Sequence, residues 1–477
     1  MKRNSEDWSG SSHMNANDLL SLHHVKQKMK SVKNPTKNVG AADLLGLQCD
    51  YTVGPRCQLR DAAIPAGAFR ESKLGPLVML MFVFRSFGLI FHDQPVDESR
   101  YGVKEKKAVA EARADVAALI DAKTEEVIFT SGGTESVNWA IRGVAEAHGH
   151  RGRHIVTSVV EHVVVLECCK YLERAGFEVT YVGVDSWGRV SADDVAKAIR
   201  KDTILVTIMH ANNETGSINP IKDIAAIARA HGALMHTDAS QSIGKIPVQV
   251  DALGVDLLTI AGHKLYAPAG IGALYVRSGV TLGKFMLGAG HEDGRRAGTE
   301  NVVFMVGLGK ACALCRRLLA EGGGGPLPSL RERRDALHTL LLEAFPDLVL
   351  NGHPDDRLPN TLNVSFPPNC PTSYALIQAT GHAVAFSAGS ACHAGDVCHV
   401  SHVLSAMGAD KARASRACRF ARTLFSSLCL RTIPHPRGFC APAALLACAP
   451  PTHHAVCHLS SPGPWTPHPC VSASMQG

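Results

Sequence analysis

Short apolar runs alternate with amphipathic stretches through the middle of the chain. The apolar runs have the length of buried strands, and the stretches between them place apolar residues on one helical face. The predicted strands are Glu126–Thr130, His154–Ser158, Glu178–Val182, Thr203–Met209, Ala233–Thr237 and Leu257–Ile260. The predicted helices are Lys104–Asp121, Val137–Val144, Val163–Ala175, Ala192–Arg200 and Ile221–His231. Alternation of this kind is typical of an α/β fold with a mainly parallel sheet.

The pattern changes after a helical stretch at Ala311–Leu319. The glycine- and proline-rich segment Gly322–Pro328 predicts a linker, and a helix at Ser329–Phe345 and strands at Leu362–Phe366 and Val384–Phe386 predict a smaller α+β unit. We therefore predict an irregular N-terminal extension (1–95), a large domain (96–320), a small domain (329–423) and a Pro/Cys/His-rich disordered tail (424–477).

Composition narrows the class of protein. Of the 477 residues, 45% are hydrophobic and 19% charged, and the net charge of +6 is too small to favour nucleic acid as a partner. The longest apolar run, Leu77–Phe91, contains Arg85 and is shorter than a membrane span, so no membrane anchor is expected.

The 15 cysteines are scattered, and no secretory signal opens the chain. Both features favour a reducing compartment, and we expect the cytoplasm, with a mitochondrion or plastid as the alternative. Cys312 and Cys315 form a lone CxxC pair within a predicted helix, which is too little for a metal site, so none is expected.

Polar residues follow several predicted strands. Leu257–Lys264, which reads Leu-Leu-Thr-Ile-Ala-Gly-His-Lys, delivers a lysine to the carboxyl edge of the sheet, where α/β folds bind ligands. A lysine amine at such an edge is either solvated, paired or used covalently, for example in a Schiff base with pyridoxal phosphate (PLP). The turn Ser131–Ser136 between a strand and a helix offers backbone N–H groups to an anion.

The other strand ends supply the remaining groups that a PLP site needs. They carry His162, Asn213, Asp238, Gln241 and His263, a set that offers an acid for the pyridinium nitrogen, a donor near the phenolic oxygen and a flat group over the ring. Each residue alone could equally cap a helix or a turn. Their occurrence in separate loops at one predicted edge favours the PLP site.

Seven motifs, in order between Tyr101 and Phe420, carry a resemblance to a known family. They are Ser131–Ser136, Asn212–Gly216, Asp238–Gln241, Ala261–Lys264, Gly298–Asn301, Leu358–Thr361 and Ser387–Cys392. The chain resembles the cysteine desulfurase and selenocysteine lyase family of the class-V aminotransferase group. That resemblance implies a fold-type I PLP-dependent transferase, with a large, mainly parallel seven-stranded sheet domain and a small α+β domain, forming a homodimer.

The resemblance also implies roles for the residues. Lys264 would form the Schiff base with PLP, Asp238 would pair with the pyridinium nitrogen, and His162 would stack on the ring. Gln241 and Asn213 would hold the phenolic oxygen. The phosphate would be bound by Gly133, Thr134, Ala261, Gly262, His263 and Thr299, the last of these from the partner subunit. Serine is common in the family where Ala261 stands, so one phosphate hydroxyl is missing here.

By the same resemblance, Cys392 is the persulfide-forming nucleophile and Arg419 holds the substrate carboxylate, with Asn213 beside the substrate. The implied reaction removes sulfur or selenium from L-cysteine or L-selenocysteine and releases L-alanine. Implied contexts are iron–sulfur cluster assembly or selenium metabolism, with a sulfur or selenium acceptor protein as a partner.

Both ends of the chain depart from the family. Residues 1–95 lack its Asp-x-x-Ala-Thr-Thr-Pro-like opening, and Ala421–Thr423 break the strand that begins at Arg419-Phe420. Two alternative hypotheses therefore stay open. One is another class-V PLP enzyme, such as an aminotransferase. The other is a catalytically impaired homologue that acts as a dimeric sulfur-relay scaffold.

Overall fold

The computed structural model describes residues 102–321, 326–381, 384–389 and 400–421. The N-terminal extension, the run Leu77–Phe91, Cys392 and the tail lie outside the described residues, and the four domain boundaries stay predictions. All of the described residues belong to one compact unit.

A seven-stranded sheet forms the larger part of the fold. Its strands are β1 (Val127–Thr130), β2 (His154–Ser158), β3 (Glu178–Val182), β4 (Thr203–Thr207), β5 (Leu234–Asp238), β6 (Leu257–Ala261) and β7 (Gly272–Val276). The spatial order is β1-β7-β6-β5-β4-β2-β3. β2 to β6 pair in parallel, whereas β7 is antiparallel to both neighbours, β1 and β6. Six strands therefore point the same way, which confirms the predicted mainly parallel α/β fold.

Helices cover both faces of this sheet. As a consequence, the strands β1, β2, β4, β6 and β7 are buried along their whole length. The helices are α1 (Gly102–Ile120), α2 (Gly133–His148), α3 (Val163–Arg174), α4 (Ala192–Ala198), α5 (Ile221–Ala230), α6 (Val250–Leu253) and α7 (Val302–Ala320). The core on one face takes side chains from α1, α5 and α7, and the core on the other face takes them from α2 and α3.

A second, three-stranded antiparallel sheet belongs to the C-terminal part. It consists of β8 (Val349–Leu350), β9 (Thr361–Ser365) and β10 (Ala417–Ala421), in the order β10-β9-β8. The accompanying helices are α8 (Pro326–Ala344), α9 (Ser373–Thr380), α10 (His402–Ala406) and α11 (Lys411–Ala414). Leu341, Val364, Leu376 and Phe420 are buried in the core of this unit.

Three local predictions differ from the structure. Val384–Phe386 is not a strand, and only the adjoining residue Ser387 forms an isolated bridge, with Arg419 of β10. Pro326–Pro328, predicted as linker, starts helix α8, whose first turn tolerates proline because its N–H groups have no helical partner. Strand β7 was not predicted, since it follows β6 without an intervening long helix.

Within the described ranges, none of the helices is long and apolar enough to cross a lipid bilayer. The same residues contain no group of three or more His, Cys, Asp or Glu side chains arranged to hold a metal ion.

Candidate active site

The predicted site residues lie at one edge of the large sheet. β1 is parallel to β6, and β2, β4 and β5 share that direction, so the loops after these five strands emerge at the same edge. These loops carry, in chain order, Gly133, His162, Asn213, Gln241 and Lys264. The structure therefore brings the five loops of the predicted site together.

Lys264 follows β6 within the short 3₁₀ helix Gly262–Leu265. Gly262 is buried, and a Cβ there would lie 2.6 Å from the Ile271 carbonyl oxygen, so only glycine permits this tight passage next to β7. His263 and Lys264 are exposed in the single chain, although the ring of His263 is partly buried. Burial, together with the positive charge of Lys264, lowers the pKa of His263, which favours a neutral imidazole there.

The glycine turn after β1 approaches the Lys264 strand closely. A Cβ at Gly133 would lie 3.0 Å from the Ala261 Cβ atom and 3.3 Å from the Ser240 hydroxyl oxygen. Gly132 has a φ of +148° and has open space in front of its Cα atom. The loops after β1, β5 and β6 thus converge on the first turn of α2, which holds Gly133 and Thr134 and points its N–H groups at this edge.

Asp238 is the last residue of β5, and its side chain is nearly buried at 9% exposure. Its Oδ1 atom accepts a hydrogen bond of 2.9 Å from the backbone N–H of Ser240. Gln241, three residues further on, is half-buried, and its carbonyl oxygen accepts a 2.6 Å hydrogen bond from the Nζ atom of Lys245. The carboxylate and the amide are therefore presented by one loop with a defined backbone.

His162 is the N-cap of α3, where its Nδ1 atom accepts a 3.2 Å hydrogen bond from the Val164 backbone N–H. This bond fixes the ring at the start of the helix and sets Nδ1 as the acceptor. His162 is half-buried, so one part of the ring stays accessible at the edge.

Asn213 and Arg419 come together although 206 positions separate them. The Nη1 atom of Arg419 donates a 2.7 Å hydrogen bond to the Asn213 carbonyl oxygen, and its Nε atom donates one of 3.1 Å to the Ser387 hydroxyl. The guanidinium of strand β10 therefore reaches the loop that follows β4 and joins the small sheet to the candidate site.

Two further predicted site residues remain untested. Thr299 is exposed in the loop before α7, so its predicted contact with the cofactor of a partner subunit stays a prediction. Cys392 lies outside the described residues, and its predicted role is unchanged.

Sequence reasoning missed three buried charged residues in these loops. They are Glu161, which precedes His162, Glu214, which follows Asn213, and Lys245. Glu214 accepts a 2.6 Å hydrogen bond from the Ser401 hydroxyl, and its carbonyl oxygen accepts one of 3.1 Å from Asn363 Nδ2. Each of the two glutamates adjoins a predicted site residue, and that adjacency was the available signal.

The donor set fits PLP. A phosphorylated pyridine aldehyde needs an amine, a carboxylate and an anion-binding turn, and Lys264, Asp238 and the first turn of α2 are presented at one edge. The space in front of Gly132, which a side chain would restrict, lies beside that turn.

The sequence model of the aminotransferase class-V family matches residues 96–422. The chain belongs to this family of PLP-dependent enzymes.

Within this family, individual relatives show that the chain is one of the cysteine desulfurases. A protein named cysteine desulfurase IscS from Dictyoglomus turgidum is 44% identical over 349 residues, which is 73% of this chain and 86% of the relative. A second protein of that name, from Methanosarcina thermophila, is 44% identical over 69% of this chain and 79% of its own length. A solved NifS-like protein superposes with a TM-score of 0.66 at 34% identity, over 75% of this chain and 92% of that one. The structure titled SspA in complex with cysteine has a TM-score of 0.63 at 34% identity, over 72% and 94% of the two chains.

Proposed function

We propose that this chain is a PLP-dependent cysteine desulfurase. It would convert L-cysteine and one protein thiol into L-alanine and one protein persulfide, a reaction balanced in atoms and electrons. The observation that carries the proposal is the convergence of Lys264, Asp238 and the glycine turn at one sheet edge, with Arg419 of the small sheet bonded to the same group of loops.

PLP, when bound, supplies an electron sink for the carbanion that forms at the substrate Cα atom. The carboxylate of Asp238 would hold a proton on the ring nitrogen and so keep the ring electron-poor. The His162 imidazole would lie against the ring face, and Gln241 and Asn213 would donate to the phenolic oxygen. The N–H groups of Gly133 and Thr134, with Gly262, His263 and Thr299, would bind the phosphate; Ala261, which has no hydroxyl, would contribute backbone only.

Lys264 would have two tasks. Its Nζ atom is the point of attachment for the aldehyde, and once released it would take the proton from the substrate Cα atom and return it to Cβ.

Arg419 would pair with the substrate carboxylate, because its guanidinium is held by the Asn213 carbonyl and the Ser387 hydroxyl at the edge of the site. The thiolate of Cys392 would attack the substrate sulfur and form an S–S bond while the Cβ–S bond breaks; the electron pair of that bond would stay with the substrate carbon and the sulfur would remain on Cys392 as a persulfide. L-Selenocysteine, which has selenium in place of sulfur, is a second substrate that the same groups could accept.

Two features of the assembly are also proposed. The exposure of Thr299 and Lys264 in the single chain is consistent with a homodimer whose interface completes each site. A persulfide on Cys392 requires an acceptor protein for turnover. Cys168, Cys169, Cys312, Cys315 and Cys418 are free and buried, which is consistent with the reducing compartment of our cytoplasmic prediction.

The two alternative hypotheses are less well supported. The similar proteins carry the name cysteine desulfurase, which does not favour an aminotransferase. The scaffold hypothesis requires a defective site, whereas the described candidate residues keep the donor set that PLP needs.

The first prediction concerns turnover by the full chain loaded with PLP. We expect alanine to accumulate from L-cysteine and a 32-dalton adduct to form on Cys392, measured by amino-acid analysis and peptide mass spectrometry. Lys264→Ala should lower alanine formation at least about 1,000-fold, because it removes both the attachment point and the base. Cys392→Ser should abolish the adduct.

Cys370→Ser provides the matched control, because Cys370 is a half-buried thiol of the small unit that has no predicted role. It should react like the wild type. Alanine formation that survives Lys264→Ala, or an adduct on another cysteine only, would contradict the proposal. Undiminished release of both sulfur and selenium by Cys392→Ser would remove that residue from the reaction.

A further inference from the structure

One buried lysine connects the two loops that carry most of the candidate cofactor contacts. Lys245 is only 7% exposed and ends a series of turns that starts after β5. Its Nζ atom donates a 2.6 Å hydrogen bond to the Gln241 carbonyl and a longer one, of 3.4 Å, to the Lys264 carbonyl. The first carbonyl belongs to the Asp238–Lys245 loop and the second to the Lys264 loop.

The surroundings hold Lys245 in this position. Its neighbour Gly244 has a φ of +71°, and a Cβ there would lie 2.7 Å from the Cys315 sulfur of helix α7. Only glycine permits this close approach, so α7 packs directly against the turn that carries Lys245. The Cys315 thiol in turn lies 4.0 Å from the Leu265 carbonyl, next to Lys264.

We propose that Lys245 is a positioning residue of the active site. Its ammonium group fastens the Asp238–Lys245 loop to the Lys264 loop and places a positive charge beside the lysine that attaches the cofactor. This inference rests on the proposed function, which gives Lys264 that task.

The charge has a chemical consequence. A positive charge beside an amine disfavours a second positive charge, so Lys245 would favour the unprotonated form of Lys264, which is the form that attacks an aldehyde. The interaction is mutual: burial, and then the charge of Lys264, lowers the pKa of Lys245 to about 8, while the Cys315 thiol opposes that shift. Lys245 is therefore largely protonated at neutral pH and supplies its charge there.

If the role of Lys245 were purely structural, its substitution would change the stability of the fold and leave the protonation of Lys264 unchanged. Removing a buried ammonium group favours folding, whereas losing its hydrogen bonds to two carbonyls opposes folding, so Lys245→Met, with a side chain of similar length, should fold with a stability close to that of the wild type. What the variant loses is the link between the two carbonyls and the charge beside Lys264.

The test measures the protonation of Lys264 itself in the full chain without cofactor. Each variant is labelled with trace acetic anhydride across a pH series, and the acetylated fraction of Lys264 is read by peptide mass spectrometry. We expect Lys245→Met and Lys245→Gln to raise the pH midpoint of Lys264 labelling by about one unit, as expected for the loss of a like charge several ångströms away. Lys222→Met, an exposed lysine of α5, is the matched control and should leave the midpoint unchanged.

A second readout concerns the link between the loops. PLP affinity, followed by the absorbance of the reconstituted chain, should fall more in Lys245→Met than in Lys245→Gln, because glutamine retains a hydrogen-bond donor. An unchanged Lys264 midpoint in both variants would overturn the proposal, and so would equal affinities in all three proteins. Neither readout depends on desulfuration, so a failed proposal about Lys245 and a failed assignment of the reaction give separate results.

Discussion

Buried ionisable side chains lie directly behind the residues predicted to hold the cofactor. His210 and His236 are fully or almost fully buried, and burial lowers the pKa of each to about 4. Both are therefore neutral at pH 7. His210 hydrogen-bonds with the hydroxyl of Ser242, and one ring nitrogen of His236 hydrogen-bonds with the hydroxyl of Thr207. The nearby charges are thus left to Asp238 and the two lysines.

Glu161 is the acid of this group whose pKa is shifted furthest from its ordinary value. Burial raises its pKa to about 8, with a smaller contribution from the negative charge of Asp238, and the hydrogen bonds from Ser158 and Met209 only partly offset this. The Ser158 hydroxyl donates at 2.7 Å and the Met209 N–H at 3.0 Å to the same oxygen. Glu161 thus holds a proton at neutral pH, behind His162.

We predict that Glu161 makes folding pH-dependent. Between its unfolded pKa near 4.5 and its folded pKa near 8, the folded state binds more protons, so this contribution to stability is full below pH 4.5 and is lost as pH rises through 8. Glu161→Gln should remove roughly 3 kcal/mol of pH-dependent stability between pH 5 and 8. Urea unfolding across this range measures the effect.

Glu167→Gln is the control for this experiment, because Glu167 lies exposed on α3 and forms only a surface ion pair with Lys170. It should follow the wild-type profile. Parallel profiles for Glu161→Gln and the wild type would contradict the prediction.

Asp238 and Lys264 were predicted as site residues because each follows a predicted strand at the same edge of the sheet. Glu161 and Lys245 could not be singled out in the same way. Their properties depend on burial by distant elements, such as the approach of α7 to Gly244, and no local pattern reports that burial.

At the scale of elements, the segment between β7 and α7 is held by two arginine–carboxylate pairs. Arg113 of α1 donates two hydrogen bonds, of 2.6 and 2.7 Å, to Glu292, which also accepts the Phe129 N–H of β1. Arg296 donates bonds of 2.8 and 3.0 Å to Glu135 of α2. These contacts anchor a long loop, which contains Thr299, to the first helix and strand of the sheet.

We predict that Arg113→Met destabilises the fold by roughly 3 kcal/mol or more, because it leaves the Glu292 carboxylate buried without its partner. The Glu292 side chain is 2% exposed, so water cannot replace the arginine. Thermal or urea unfolding of the full chain checks this value.

Asp293→Asn is the matched control, since Asp293 is the neighbouring residue, its side chain is 83% exposed, and asparagine tolerates its φ of +54°. Surface changes of this kind usually alter stability by less than about 0.5 kcal/mol. Equal losses of stability in the two variants would mean that the buried ion pair does not hold the loop.

Elements with strong periodicity were predicted well, and weakly patterned ones were not. β7 is only five residues long and follows β6 through a short 3₁₀ helix, so the expected alternation with long helices concealed it. Val384–Phe386 has strand-like composition, but its partner strand β10 already pairs with β9, and a single bridge at Ser387 remains on the other side.

At the scale of the whole described structure, the two sheets meet at the loop after β4. Leu358 N–H donates to the Gly216 carbonyl, Asn363 to the Glu214 carbonyl and Arg419 to the Asn213 carbonyl. The segment Asn213–Gly216 thus bonds the small unit to the sheet edge where Lys264 lies. Sequence motifs predicted both sides of this junction, but its hydrogen bonds depend on the packing of segments more than 140 positions apart.

The central claim is that this edge holds PLP on Lys264. The most direct measurement is to add PLP to the full-length chain, reduce it with borohydride, and map the modified lysine by mass spectrometry. The account predicts an absorbance band in the visible range that borohydride removes, with the pyridoxyl group on Lys264 and not on the neighbouring Lys245. A label on Lys245 or on surface lysines alone, or the absence of any band, would contradict it.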